Sequence, residues 1–547
     1  MTQSADSMLD ADHHNDTSGT SARAVFGSVF TRVLIAGVLV ILFAALYGRI
    51  MGYGLRRDEL MFVPPAELLG YSSLYGDFFY NHVPNSAWFY RGFYLIFGGE
   101  GLLASARFGQ FCAWLLLASG VSWATWRISG SALLSVFFVV VLVVNETLQT
   151  QAGMAASNNL LPLPFAAWGL GLFIVETLRD RPRFAQLLIS GLLLSIAAGL
   201  KVSAVIFIPP VAVAAFLLPW HLPFSDRLRS VVLPVLIGGL VGALPLFWYL
   251  AADPSGFLAH VLKFHTGPHI AYWQANAASE PGLAMGLGKK IQLAYATWFS
   301  GAALIGLMIL FFLGVLSTAK STQKRNGLGQ ILVVLAVLGM TALFSFVPTP
   351  GFPQYYIQPL IAVPLLAALI YRLLPHEKRA QVVPLCFAGF ALLFLLGAPR
   401  LAPGLLSLAK PDSFTSARIA KGGAALRDAV VESATPDGPV ATFIPLYPLE
   451  AHLPVYAELA TGPFAYRIAP YTDPELAQQY VMAGEKDLTA LFDSNPPSAF
   501  LLGYDSDLEA PLLRYANENG YAAVQKGGLN NRYGEGVIYL RRADAAE

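Results

Sequence analysis

Apolar residues fall in long blocks along this chain, separated by short polar connections. The blocks lie roughly at 31–50, 102–126, 130–146, 158–178, 184–200, 202–219, 231–251, 293–316, 328–347, 355–373 and 381–398. A helix needs about 20 mostly apolar residues to cross a bilayer. The pattern predicts about eleven membrane-spanning helices, one of them kinked at Pro209-Pro210, which membrane helices tolerate. No repeat relates the two halves of this region.

After Pro399 the pattern changes to short apolar runs alternating with polar helical stretches. Val440 to Ile444, Ser498 to Leu502, Ala522 to Gln525 and Gly536 to Leu540 read as strands. Ser413 to Ser433, Pro474 to Asp493 and Leu508 to Asn519 read as helices. This alternation predicts a soluble α/β domain over 400–547, large enough for its own core. The start, 1–30, is polar and reads as a disordered cytoplasmic tail, followed by an uncleaved first span.

Lysine and arginine in short connections orient the bundle. With the N-terminus inside, five connections carry their cations on the cytoplasmic side: Arg127, Arg179 to Arg183, Arg227 with Arg229, Lys320 to Arg325, and Arg372 to Arg379. The loops 51–101, 252–292 and 348–354 and the C-terminal domain then lie outside, an N-in/C-out arrangement. Composition agrees with a polytopic membrane protein of 547 residues: 55% are hydrophobic, 13% charged, and the mean hydropathy is +0.55. A net charge of +1 offers nothing to nucleic acid. The two cysteines, Cys112 and Cys386, sit in apolar stretches and form no disulfide framework.

Charge is scarce, so its placement is informative. Arg56-Arg57-Asp58-Glu59 stands just past the first span and opens a polar, aromatic loop running to Tyr80-Asn81-His82-Val83-Pro84. Intramembrane or membrane-edge carboxylates are costly and mark function. Carboxylates beside arginines suit holding a phosphate and taking a proton from a nucleophile, which points to a lipid-linked substrate at the bilayer surface. Neighbours on a helix point about 100° apart, so Asp58 and Glu59 do not both face one site. One is the functional carboxylate; the other is a cap or an ion-pair partner. Short interfacial helices are expected over Glu59 to Leu69 and Ser86 to Phe97, with Trp88, Tyr90 and Tyr94 at headgroup level.

Further candidates for substrate binding are Asp77, Tyr80, Asn81 and His82 in this loop, and His260, Lys263 and His265 in the second long loop. His82 suits a phosphate or a hydroxyl, or is a satisfied loop histidine. His260, His265 and His269 share no helical face and Gly267-Pro268 breaks any helix there, so no metal site is expected. Lys201, between two apolar runs near the outer face, is a better site candidate than Arg107, early in the second span. Turn chemistry accounts for the polar stretch from Asn145-Glu146 to Asn158-Asn159.

These features resemble the GT-C glycosyltransferases, nearest to the bacterial lipid A aminoarabinose transferases and the protein O-mannosyltransferase-related group. The resemblance rests on the Arg57-Asp58-Glu59 motif at the outer end of the first span and a following loop that ends in a proline-containing aromatic motif. It is extended by about eleven spans and a C-terminal outer domain. Gln354-Tyr355-Tyr356-Ile357-Gln358-Pro359 and Tyr447-Pro448-Leu449-Glu450-Ala451 are similar to segments of such enzymes. The resemblance implies a polyprenyl-phosphate sugar donor, inversion at the anomeric carbon, and Asp58 as the catalytic aspartate. It also implies a bacterial inner membrane with the site facing the periplasm. Where aminoarabinose transferases carry Glu-Lys before a proline, this chain has Asn81-His82, which leaves sugar and acceptor (lipid, polysaccharide or protein) open. A phosphate leaving group among cations requires no obligatory cofactor. A transporter or flippase of a lipid-linked glycan also fits many spans, but the missing inverted repeat counts against it. A membrane-anchored protein whose C-terminal domain does the work is a third reading.

Overall fold

The computed structural model describes residues 29–279, 282–317, 327–433 and 438–541. The polar stretch 1–30 lies almost wholly outside these residues, as do Lys320 to Arg325. Each apolar block contains helix. Val33–Gly52, Leu102–Ser129, Pro353–Arg372 and His376–Leu408 are each long and apolar enough to cross a membrane. Two bent pairs reach that length together: Phe224–Gly242 with Leu244–Ala252 at 51°, and Leu287–Trp298 with Gly301–Ser317 at 70°. Ala132–Val144, Pro162–Thr177, Phe184–Leu200, Val202–Leu217 and Leu328–Phe344 are shorter apolar helices. By length and composition, then, up to six segments qualify as spans. Large apolar side chains such as Trp248, Phe311, Phe394 and Leu395 are exposed, which suits contact with lipid.

Close packing within the bundle uses glycine. The first helix lies against His376–Leu408, and a Cβ on either Gly48 or Gly404 would collide with the other helix's backbone. That last helix continues through Pro399 and Pro403 to Leu408, past the point where the sequence pattern changes.

Beyond it, strands Val440–Ala441, Ala499–Leu502, Val537–Arg541 and Tyr521–Val524 form one mixed sheet in that spatial order. The first pair is parallel and the others antiparallel. Successive residues of Ala499–Leu502 alternate faces, as a strand requires. Phe500 and Leu502 join a separate core with Phe492, Leu512, Tyr515 and Tyr521. Ala499 and Leu501 belong to the core shared with the helical bundle. The stretch 474–493 is broken into Pro474–Gln479, Glu485–Asp487 and Leu488–Ser494. The break brings buried Tyr480 onto the second long loop, where its hydroxyl donates to the Ala259 carbonyl at 3.0 Å.

Polar side chains from separate segments meet one another. His265 reaches the Asn81 carbonyl, Lys201 lies over Tyr355, and Arg57 pairs with Asp505 of the C-terminal segment.

Candidate functional site

The first loop is fixed from beneath by Arg107. This fully buried guanidinium donates through Nη1 to the carbonyls of Ile50, Met51 and Tyr53 at 3.1, 3.0 and 2.6 Å. These carbonyls end the first span, where a helix lacks internal partners. Its Nε and Nη2 donate to the two carboxylate oxygens of Glu59, both at 2.9 Å. Glu59 also accepts from the Ala156 and Arg56 amides at 3.1 and 3.0 Å. Of the acidic pair, Glu59 is therefore the ion-pair partner: it is buried and its oxygens are committed to protein donors. Expected among the substrate-binding residues, Glu59 is placed by the structure beneath the first loop with Arg107. A bidentate pair of this kind fixes orientation as well as position.

The helix Arg57–Phe62 then turns Asp58 to a different direction. Asp58 is partly buried and accepts from Asn159 Nδ2 at 3.2 Å. The Oδ1 of the same amide accepts from Lys201 Nζ at 2.6 Å. The amide's orientation follows from its neighbours, because an ammonium only donates and an ionised carboxylate only accepts. Lys201 follows the helix Phe184–Leu200 in extended backbone, and its Nζ lies 5.1 Å from the ring centre of Tyr355. Burial raises the Asp58 carboxyl above its ordinary value, opposed by the Lys201 charge and the Asn159 hydrogen bond. Burial pushes the Lys201 ammonium down to about 8, with Asp58 opposing.

A wall of neutral imidazoles closes one side. His82 stacks on Phe62 at 4.7 Å and lies 5.4 Å from His265, which lies 5.6 Å from His269. Burial, His265, Lys201 and His269 hold His82 well below the usual histidine range. Burial and His265 take His269 down to about 3. His265 Nε2 lies 2.7 Å from the Asn81 carbonyl, so it carries the proton and donates.

The remaining expected site residues are dispersed. Arg57 pairs with Asp505 at 2.8 Å, a carboxylate also held by Arg467 at 2.9 Å. Asp77 is exposed and accepts from the amide and hydroxyl of Ser73, closing a local turn. Tyr80 is buried with its hydroxyl 2.6 Å from Ser86 Oγ. Asn81 is buried, and its carbonyl accepts from His265. His260 packs among Tyr75 and Tyr480 with Nδ1 on the Gly256 carbonyl, a core position. Lys263 is exposed at the end of Ala259–Lys263. Trp88 is exposed as expected, but Tyr90 and Tyr94 turn inward. The Tyr90 hydroxyl is spent on Gln110 and the Ser157 carbonyl.

Three residues that matter here were not singled out for the site by sequence reasoning: Asn159, Tyr355 and Arg107. Asn159 sits in a stretch explained by turn chemistry, and only its repetition with Asn158 hinted at more. Among the described residues, no three His, Cys, Asp or Glu side chains are grouped to hold a metal ion.

No protein-family model and no curated protein matches the chain. Solved structures do. ArnT from Cupriavidus metallidurans bound to undecaprenyl phosphate superposes with a TM-score of 0.59 at 13% identity, covering 96% of this chain and all of that one (100%). The apo state of the same ArnT gives 0.60 at 14% identity, covering 94% and 98%. The chain therefore shares the fold of that ArnT, and its long apolar helices are those of a multi-pass membrane protein.

Proposed function

We propose that this chain is an inverting glycosyltransferase that moves a monosaccharide from a polyprenyl phosphate to a hydroxyl at the outer face of a bacterial inner membrane. The observation that carries this reading is the Asp58–Asn159–Lys201 bridge, which places a base and a cation on opposite ends of one amide. The likeness in fold to a protein bound to undecaprenyl phosphate supports the donor class.

In this reading eleven apolar segments cross the membrane, and 51–101, 252–292 and 400–547 lie on the periplasmic side. The donor phosphate sits against Lys201 and the imidazole wall. Asp58 takes the proton of the acceptor hydroxyl as its oxygen attacks the anomeric carbon. The bond from that carbon to the phosphate oxygen breaks, and its electron pair leaves on the phosphate. Lys201 stabilises the charge that accumulates there. A single displacement inverts the centre. A neutral His82 donates one hydrogen bond without adding charge, while His265 spends its proton on the Asn81 carbonyl, and the ammonium supplies the cation, so no obligatory metal ion is invoked.

The test compares membrane lipids by mass spectrometry in cells lacking the chain, in cells with the wild type and in cells with Asp58→Asn. A prenyl-phosphate sugar should accumulate in the deletion and in the variant alike. A variant indistinguishable from wild type would refute the assignment, and transport without chemistry would then be the better account.

A further inference from the structure

A second cleft, with Leu55 and Ile419 among its lining residues, lies beside the first loop, between the C-terminal segment and the end of the first span. Its volume is about 240 Å3. Its walls are Gly54, Thr415 and Arg418 on one side and Asn530, Asn531 and Arg532 of a small hairpin on the other. Arg418 Nη2 donates to Thr415 Oγ1 at 3.2 Å, and that hydroxyl donates to the Tyr53 carbonyl at 2.8 Å. Asn531 donates to the Tyr447 hydroxyl at 3.3 Å and accepts from the Tyr533 amide at 2.8 Å. Among the described residues neither Arg418 nor Arg532 pairs with a carboxylate. The one acid on the hairpin strands, Glu535, stands across from Asn530 and does not line the cleft. Two guanidiniums and two amides thus meet in a concave site whose lining, among the described residues, holds no carboxylate.

We infer that this cleft binds a phosphate group on a membrane-borne molecule, either the acceptor of the reaction above or a headgroup of the surrounding leaflet. Guanidinium forks and amide donors match phosphate oxygens in geometry and charge. The position suits such a ligand, because Gly54 and Leu55, both in the cleft wall, lead directly into the Arg56-Arg57-Asp58 segment. Tyr533 joins the two places: Arg532 lies 5.3 Å and Arg57 5.6 Å from its ring centre. A phosphate held here would set its carrier beside Asp58. The acceptor arm of this inference rests on the transferase reading; the headgroup arm does not.

Binding to the full-length purified chain tests it, with glucose 1-phosphate as a soluble phosphosugar and phosphatidate against phosphatidylcholine by native mass spectrometry. Wild type should bind at least one phosphate probe, and Arg418→Gln with Arg532→Gln should weaken that binding by about tenfold or more. Arg418→Lys with Arg532→Lys keeps both charges and should retain most of it. Binding of glucose 1-phosphate assigns the cleft to an acceptor, and binding of phosphatidate alone assigns it to a leaflet headgroup. If neither probe binds, or if the glutamine pair binds as wild type does, the inference is overturned. Asp58→Asn should bind the probe normally; should that variant still transfer sugar, the transferase reading fails while this binding result stands.

Discussion

Asp58 and Lys201 are joined through a single side chain: Asn159 gives its amide hydrogens to one and its oxygen to the other, at 3.2 and 2.6 Å. The two charges therefore lie a carboxamide apart. Direct pairing would neutralise both; the bridge keeps each available while fixing their separation.

Asn159 is a positioning residue in this arrangement. Asn159→Ala should lower the turnover of transfer by about 10–100-fold, less than the about 100–10,000-fold expected for Asp58→Asn. Its hydrogen bond favours the ionised carboxylate, so its loss should also move the acid limb of the rate profile to higher pH. A purely structural role would lower active enzyme without moving that limb. Rates measured across pH in proteoliposomes separate the two.

The wild-type profile should be bell-shaped. Asp58 acts as carboxylate, and burial raises its pKa, so activity rises with pH through a value above the ordinary carboxylate range. Lys201 acts as ammonium with its pKa pushed down to about 8, so activity falls as pH passes about 8. Lys201→Arg holds its proton at any accessible pH and should remove the alkaline limb. An unchanged alkaline limb in that variant would exclude Lys201 as its origin.

Arg107 and Glu59 carry stability. Both are fully buried, and removing one partner strands the other's charge. Glu59→Ala or Arg107→Ala should each cost about 3–5 kcal/mol, seen as a large fall in thermal midpoint and in yield. The double variant should lose less than the two single losses summed, because they share one interaction.

The Arg57–Asp505 contact is a different case. Its side chains are 37% and 27% exposed, so removing the contact by Arg57→Ala, which leaves Asp505 with Arg467, should cost only about 0–1 kcal/mol. The expected consequence is a looser junction between the first loop and the C-terminal segment. Hydrogen exchange should show faster opening around residues 57–62 with the thermal midpoint nearly unchanged.

Local patterning made much of this chain legible. Each apolar run contains helix, because backbone groups in hydrocarbon must bond within their own helix, although by length and composition up to six segments qualify as spans. The change in period near Pro399 foretold the strands Ala499–Leu502 and Val537–Arg541, where alternate side chains serve two faces. Asp58 stood out because charge at a membrane edge is rare. What tertiary structure decided was which polar groups meet. Asn159, Lys201 and Tyr355 are far apart along the chain and converge only when their helices pack. Glu59, as conspicuous in sequence as Asp58, is paired off by the buried Arg107 in the interior. Charge scarcity marks a residue as costly, but only its packed neighbours determine whether that cost is offset by an internal partner or left for a substrate to meet.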